Sequence, residues 1–156
     1  MSQRLDHTKA APNAAKGFYA ASAYLTQCSV PRVLIDLVYL RVSQINGCAY
    51  CIDKHSRDLL GEGMSIDKLV LVPVWREAGT LFDARERAAL AWAESLALVA
   101  QTGVPDADFA AVSAVFDERE VADLTMAVSL MSAFNRLGVG LRLTPAAVTL
   151  AAKASA

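Results

Sequence analysis

Apolar residues recur at helical spacing along almost the whole chain, and no stretch of useful length alternates strictly between apolar and polar. A half-buried strand needs that alternation and an amphipathic helix needs a repeat near 3.6, so the pattern predicts an all-α fold. The breaks mark the helices. Residues 14–27 are Ala-rich, with Phe18, Tyr19, Tyr24 and Leu25 interleaved. Pro31 suits the first turn of a second helix over Arg32 to Ile45, whose apolar residues cover most of the wheel, as in a largely buried helix. Asn46-Gly47 interrupts the pattern. Asn46 is a cap for a third helix over residues 47–60, which stops at Gly61-Glu62-Gly63. Ser65 to Val72 reads as a short helix, because no other strand pattern exists to pair with it. Asp83 and Glu86 form a capping box for a long helix ending near Gln101. Further helices are expected over residues 105–116 and 118–136, the latter loosened by Gly138 and Gly140, and a last one from Thr144-Pro145.

The chain has 156 residues, 54% of them hydrophobic, which suffices for one core of its own and leaves apolar surface for a subunit interface. One domain over residues 1–156 is expected, with the polar residues 1–12 as a flexible N-terminal segment. The net charge is −1 and the Lys and Arg residues are scattered, so neither nucleic acid nor an anionic membrane is an expected partner. Asp36, Arg41 and Glu94 break the longest apolar runs, so no membrane span is expected. The N-terminus lacks the basic-then-apolar layout of a secretory signal, and the expected location is the cytoplasm. Three cysteines are too few and too odd for a disulfide scaffold. In a reducing compartment a close cysteine pair points to metal binding or catalysis.

That pair lies in Ser43-Gln44-Ile45-Asn46-Gly47-Cys48-Ala49-Tyr50-Cys51, followed by His55. On a helix, Cys48, Cys51 and His55 fall within roughly 60° of one another, so two thiols and an imidazole share one stripe. Only a thiolate attacks, and a free thiol with a pKa of about 8.5 is mostly protonated at neutral pH. A helix N-terminus and a nearby imidazole both favour the thiolate, and a second thiol one turn away can close a disulfide on an oxidised first one. Two arguments compete for the attacking sulfur. Position at the helix end favours Cys48, whereas the i, i+4 imidazole favours Cys51 and can also take its proton. The second weighs more, giving Cys51 as attacking and Cys48 as resolving thiol. Zinc needs two more ligands; Cys28 is distant and His7 lies in the N-terminal segment, so no metal is expected. No Gly-rich phosphate loop is present, and no cofactor beyond the thiol pair is expected.

The cysteine stretch with His55 resembles the core motif of the AhpD-like alkylhydroperoxidases of the carboxymuconolactone decarboxylase superfamily. Trp75-Arg76-Glu77, Phe82, the run Glu86 to Glu94, and Asn135-Arg136-Leu137 resemble that family's later blocks. The resemblance runs from about Arg4 to Pro145. It implies an all-helical bundle, homo-oligomers such as trimers or hexamers, and peroxide reduction in which Cys51 attacks and Cys48 resolves. It implies a proton relay through His55 and an acid twelve residues before the first cysteine. The family has glutamate there, whereas this chain has Asp36, one methylene shorter. Asp36 shares a narrow polar stripe with Arg32, Tyr39 and Ser43, which faces either the thiols, as a relay requires, or the solvent, with Asp36 then exposed or salt-bridged. In the family's best-studied type the residue before the second cysteine is also histidine; here it is Tyr50, as in many AhpD-like relatives. A lipoyl-bearing adaptor is the reductant the resemblance suggests. The competing functions are a thiol–disulfide reductant of a partner protein, a redox-sensing oligomer without turnover, and the superfamily's decarboxylase, which uses no CxxC pair.

Other residues stand lower. Glu94 interrupts an apolar helix, either as a replacement carboxylate at the site or, as expected, in a buried pair with an arginine such as Arg136. Trp75 and Trp92 are expected in the core, Tyr50 near the thiols, Cys28 as a small buried residue and His7 in a surface tail.

Overall fold

The computed structural model describes residues 2–154, and among them every regular element is helical. A one-turn α1 (His7–Ala10) is capped by the Asp6 carboxylate, which accepts from the Thr8 amide. It leads into α2 (Pro12–Leu25), where Pro12 takes a first-turn position that leaves its missing N–H without consequence. α3 (Arg32–Ile45) follows Pro31, and α4 (Ala49–Gly61) follows Cys48. α5 (Ile66–Leu71) runs into two 3₁₀ segments, Val72–Glu77 and Gly79–Leu81. α6 (Ala84–Ala97) opens on the Asp83–Glu86 capping box, and α7 (Val99–Thr102) and α8 (Asp106–Ser113) follow it. α9 (Glu118–Leu141) opens on a second capping box, Asp117–Glu120, and α10 (Ala146–Ala154) comes last.

α3 is the central element. It packs against α4, α6 and α9, which is why its apolar residues surround the whole wheel: Leu37, Val38, Leu40 and Val42 are all buried. Burying each contributes about 1.5–3 kcal/mol relative to exposure. α9 is long and apolar enough to cross a membrane by length and composition alone. It serves instead as a second core helix, burying Leu124, Ala127, Val128 and Met131 and packing on α2, α3, α4 and α6.

The structure departs from several of the expected boundaries. The N-cap of α4 is Cys48, not Asn46. The Ala-rich stretch after Asp83 is broken at Leu98 (φ −102°, ψ 29°), so α6 ends early and α7 is a separate turn. α9 continues through Gly138 and Gly140 to Leu141. At the N-terminus, the Arg4 amide donates to the Leu141 carbonyl and its guanidinium to the Gly140 carbonyl, both at 2.9 Å, which ties this segment to the end of α9.

Candidate active site

The Asn46-Gly47 turn carries the chain from α3 into α4. Gly47 holds φ +67°, a left-handed value that favours glycine. The next residue, Cys48, is extended (φ −90°, ψ 95°) and caps α4, its Sγ accepting from the Cys51 amide at 3.4 Å. Cys51 lies one turn into the helix. Both thiols are buried, Cys48 1% and Cys51 4% exposed. α9 closes over them at Gly138: a Cβ there would stand 2.6 Å from the Cys48 Sγ and 3.5 Å from the Cys51 Sγ. Only glycine lets the helix backbone come this close without displacing the sulfurs. One turn earlier on α9, the Asn135 amide donates to Ser43 Oγ and accepts from Asn46 Nδ2, both at 3.0 Å, so it bridges both sides of the turn.

The two sulfurs differ electrostatically. A hydrogen bond from the Cys51 side chain, aided by the Cys51 amide and Asn135, outweighs burial and pulls the Cys48 thiol from its ordinary 9.0 down to about 6. The same bond, followed by burial, pushes the Cys51 thiol up. The surroundings thus favour the thiolate at Cys48 and the thiol at Cys51.

His55, one turn beyond Cys51, is buried, and its Nδ1 lies 3.0 Å from Asp36 Oδ1 on α3. A carboxylate accepts only, so in the neutral imidazole this contact puts the ring proton on Nδ1 and leaves the Nε2 lone pair free. The second Asp36 oxygen is 3.4 Å from Arg32 Nε, which also meets Glu62 at 3.0 Å. The shorter acid thus reaches the imidazole directly. The Tyr39 ring packs on the His55 ring with centroids 5.0 Å apart. Asp36, His55 and Asp58 bring three metal-type ligand atoms within 4.8 Å of one another. Arg32 on Asp36 and Lys54 on Asp58 already supply positive charge there, so the group is better described as an ion-pair cluster.

A cavity of about 410 Å³ opens onto this cluster. Cys51, His55, Asp36 and Tyr39 border it, but Cys48 does not. Leu25, Ile35, Met131, Phe134 and Leu137 supply apolar walls, and Tyr50 also borders it. The cavity therefore presents one sulfur, Cys51, to a small molecule.

The lesser candidates fall elsewhere. Glu94 does not reach the thiols. Its carboxylate accepts from Arg41 Nε (2.7 Å), Trp75 Nε1 (2.9 Å) and Arg76, while Arg136 instead donates to the Ser132 carbonyl at the surface. Trp75 and Trp92 are buried core residues, and Trp92 Nε1 donates to Thr125 Oγ1 at 3.0 Å. Cys28 is half-buried and burial pushes its thiol up. His7 is half-buried rather than part of an exposed tail: it borders the cavity with both ring nitrogens buried. Sequence reasoning passed over Ser43 and Gly138 as site residues. The available signal was a glycine interrupting an apolar helix three residues after Asn135, hence on the same face.

The carboxymuconolactone decarboxylase family model matches residues 10–95. The uncharacterized protein YdfG of Bacillus subtilis is 31% identical over 141 residues, spanning 90% of this chain and 95% of its own length. A solved structure of a protein of unknown function from Agrobacterium tumefaciens, provisionally assigned as the antioxidant defence protein AhpD, superposes with a TM-score of 0.88 at 34% identity, covering 92% of this chain and 98% of its own. The debrominase Bmp8 superposes with a TM-score of 0.80 at 17% identity, over 92% of this chain and 77% of its own, a likeness of fold.

Proposed function

The chain belongs to the carboxymuconolactone decarboxylase family, in its AhpD-like branch, and on that premise we propose that it reduces organic hydroperoxides with the Cys48–Cys51 pair. The observation that carries this reading is a cavity reaching Cys51 but not Cys48, beside an imidazole oriented by Asp36. In this reading His55 Nε2 takes the Cys51 proton. The Cys51 sulfur attacks the distal peroxide oxygen; the S–O bond forms, the O–O bond breaks, and the alkoxide leaves as alcohol with the proton from His55. Cys48, already a thiolate, attacks the sulfenic Cys51 sulfur, and hydroxide leaves as water with one further proton. The disulfide then takes two electrons from a thiol reductant.

The low pKa of Cys48 thus serves resolution, where no base is at hand, and the imidazole serves attack. The cavity is far larger than hydrogen peroxide and suits an organic body. Both sulfurs are buried, which favours a slender dithiol arm of the lipoyl type over the dithiol of a folded protein as the reductant. A cytosolic location and a homo-oligomeric state, trimer or hexamer, belong to the same proposal. A second reading is that the dithiol reduces a carbon–halogen bond, as the name of the debrominase states for that protein. It draws support from the aromatic residues Tyr19, Tyr39 and Phe134 on the cavity wall, and bromide release from a bromopyrrole tests it.

The test of the main reading is consumption of cumene hydroperoxide with excess dithiothreitol. Wild type turns over, and Cys51→Ser does not. Asp36→Asn, which no longer fixes the imidazole tautomer, lowers kcat by about 100-fold or more. Full consumption by Cys51→Ser would show the assignment to be wrong. A wild type that forms one disulfide per chain but never turns over would favour a redox sensor.

A further inference from the structure

Besides its apolar residues, the cavity is bordered by polar groups that the peroxide chemistry leaves unused. Tyr39 borders the cavity, is 7% exposed, and its hydroxyl has no hydrogen-bond partner among the described residues. His7 borders the same cavity, and both of its ring nitrogens are likewise buried without a partner. The large majority of buried side-chain polar atoms in folded proteins are paired, so three unpartnered ones around one cavity point to a ligand that would complete the hydrogen bonding. His7 is held there by the N-terminal segment. Asp6 caps its one-turn helix, and Arg4 is fastened to the Leu141 and Gly140 carbonyls at the end of α9.

The chemistry of these atoms defines the group they fit. A neutral imidazole offers one donor and one acceptor, and a phenol offers both. A carboxylate would satisfy only the donors. It would also lie near Asp36 and Asp6 in a cavity whose cations are engaged, Arg32 with Asp36 and Glu62, and Lys54 with Asp58. An uncharged group that both donates and accepts matches them.

We propose that His7 and Tyr39 form a recognition site for an uncharged hydroxyl or amide on the substrate body, so that the preferred substrate is an apolar organic hydroperoxide bearing a second, neutral polar function. This rests on the reading of the cavity as the substrate site. The N-terminal segment then acts as the specificity wall of the site, and His7 and Tyr39 set specificity through the polar function on the substrate body.

The test uses unreactive product alcohols, so it does not depend on turnover. Binding of 2-phenyl-2-propanol and of its para-hydroxymethyl and para-carboxyl derivatives to the full chain is measured by calorimetry. Wild type is expected to prefer the hydroxymethyl compound over both others. His7→Ala and Tyr39→Phe are each expected to lower the ratio of hydroxymethyl to unsubstituted affinity by about tenfold, the equivalent of one hydrogen bond. Because the ratio is taken within each variant, a general loss of stability does not imitate the effect. An unchanged ratio in both variants, or tightest binding of the carboxylate in wild type, overturns the proposal. If wild type shows the preference and yet consumes no hydroperoxide, the recognition site stands and the peroxidase reading falls.

Discussion

Cys48 and Cys51 carry identical side chains three residues apart, and only their surroundings separate them. Cys48 caps α4, accepts from the Cys51 amide at 3.4 Å and is hidden from the cavity; Cys51 borders the cavity. The two sequence arguments that compete for the attacking sulfur therefore describe different steps in the proposed cycle. The pH dependence follows from the sign of the shift. Cys48 lies below its ordinary 9.0, at about 6, so its thiolate persists at neutral pH and is lost as pH falls through about 6. Ultraviolet thiolate absorbance should show one such step per chain, absent in Cys48→Ser. A single wild-type step near the ordinary value would remove the thiolate assignment. At this scale the sequence was partly legible. The helical repeat placed both thiols and His55 on one stripe. The approach of Asp36 to His55 was accessible only through resemblance, because it spans α3 and α4, and periodicity says nothing about which residues of two helices meet. The same limit hid the partners of Glu94, which are Arg41, Trp75 and Arg76 rather than Arg136.

Among the elements, α3 was the most legible, since Pro31 before it and Asn46-Gly47 after it bound the apolar run at both ends. The break between α6 and α7 was not, because Ala- and Leu-rich sequence continues across Leu98 and no glycine or proline marks it. α9 ran past the expected end because tertiary packing overrides the weak propensity of Gly138 and Gly140. Gly138 sets the distance between α9 and the dithiol. Gly138→Ala would improve helix propensity by up to about 1 kcal/mol. The added methyl, 2.6 Å from the Cys48 sulfur in a closed space, costs about 1–3 kcal/mol as overpacking. The steric cost wins, so denaturant melts should show net destabilisation together with a shifted Cys48 titration. Unchanged stability and titration would mean that α9 gives way freely at this point.

For the whole molecule, the bundle joins two features that composition alone could not connect. One is the apolar excess, part of which is exposed along α2 and α9 at Phe18, Tyr24 and Met126, which line a second, smaller apolar groove. Under the proposed homo-oligomer this face is covered. Sedimentation should then show an assembly at micromolar concentration that Met126→Lys weakens, whereas a wild-type monomer would rule out the oligomer. The other feature is the N-terminal segment, whose polar composition gives no sign of a core, yet whose Arg4 and His7 join it to α9 and the cavity. Both properties come from the assembled fold rather than from any local pattern. The central claim, that Cys51 is the sulfur that meets the substrate, is tested most directly by trapping sulfenic acid with dimedone after mixing each single-cysteine variant with cumene hydroperoxide. The account predicts an adduct on Cys51 in Cys48→Ser and none on Cys48 in Cys51→Ser; an adduct on Cys48 formed at a comparable rate would contradict it.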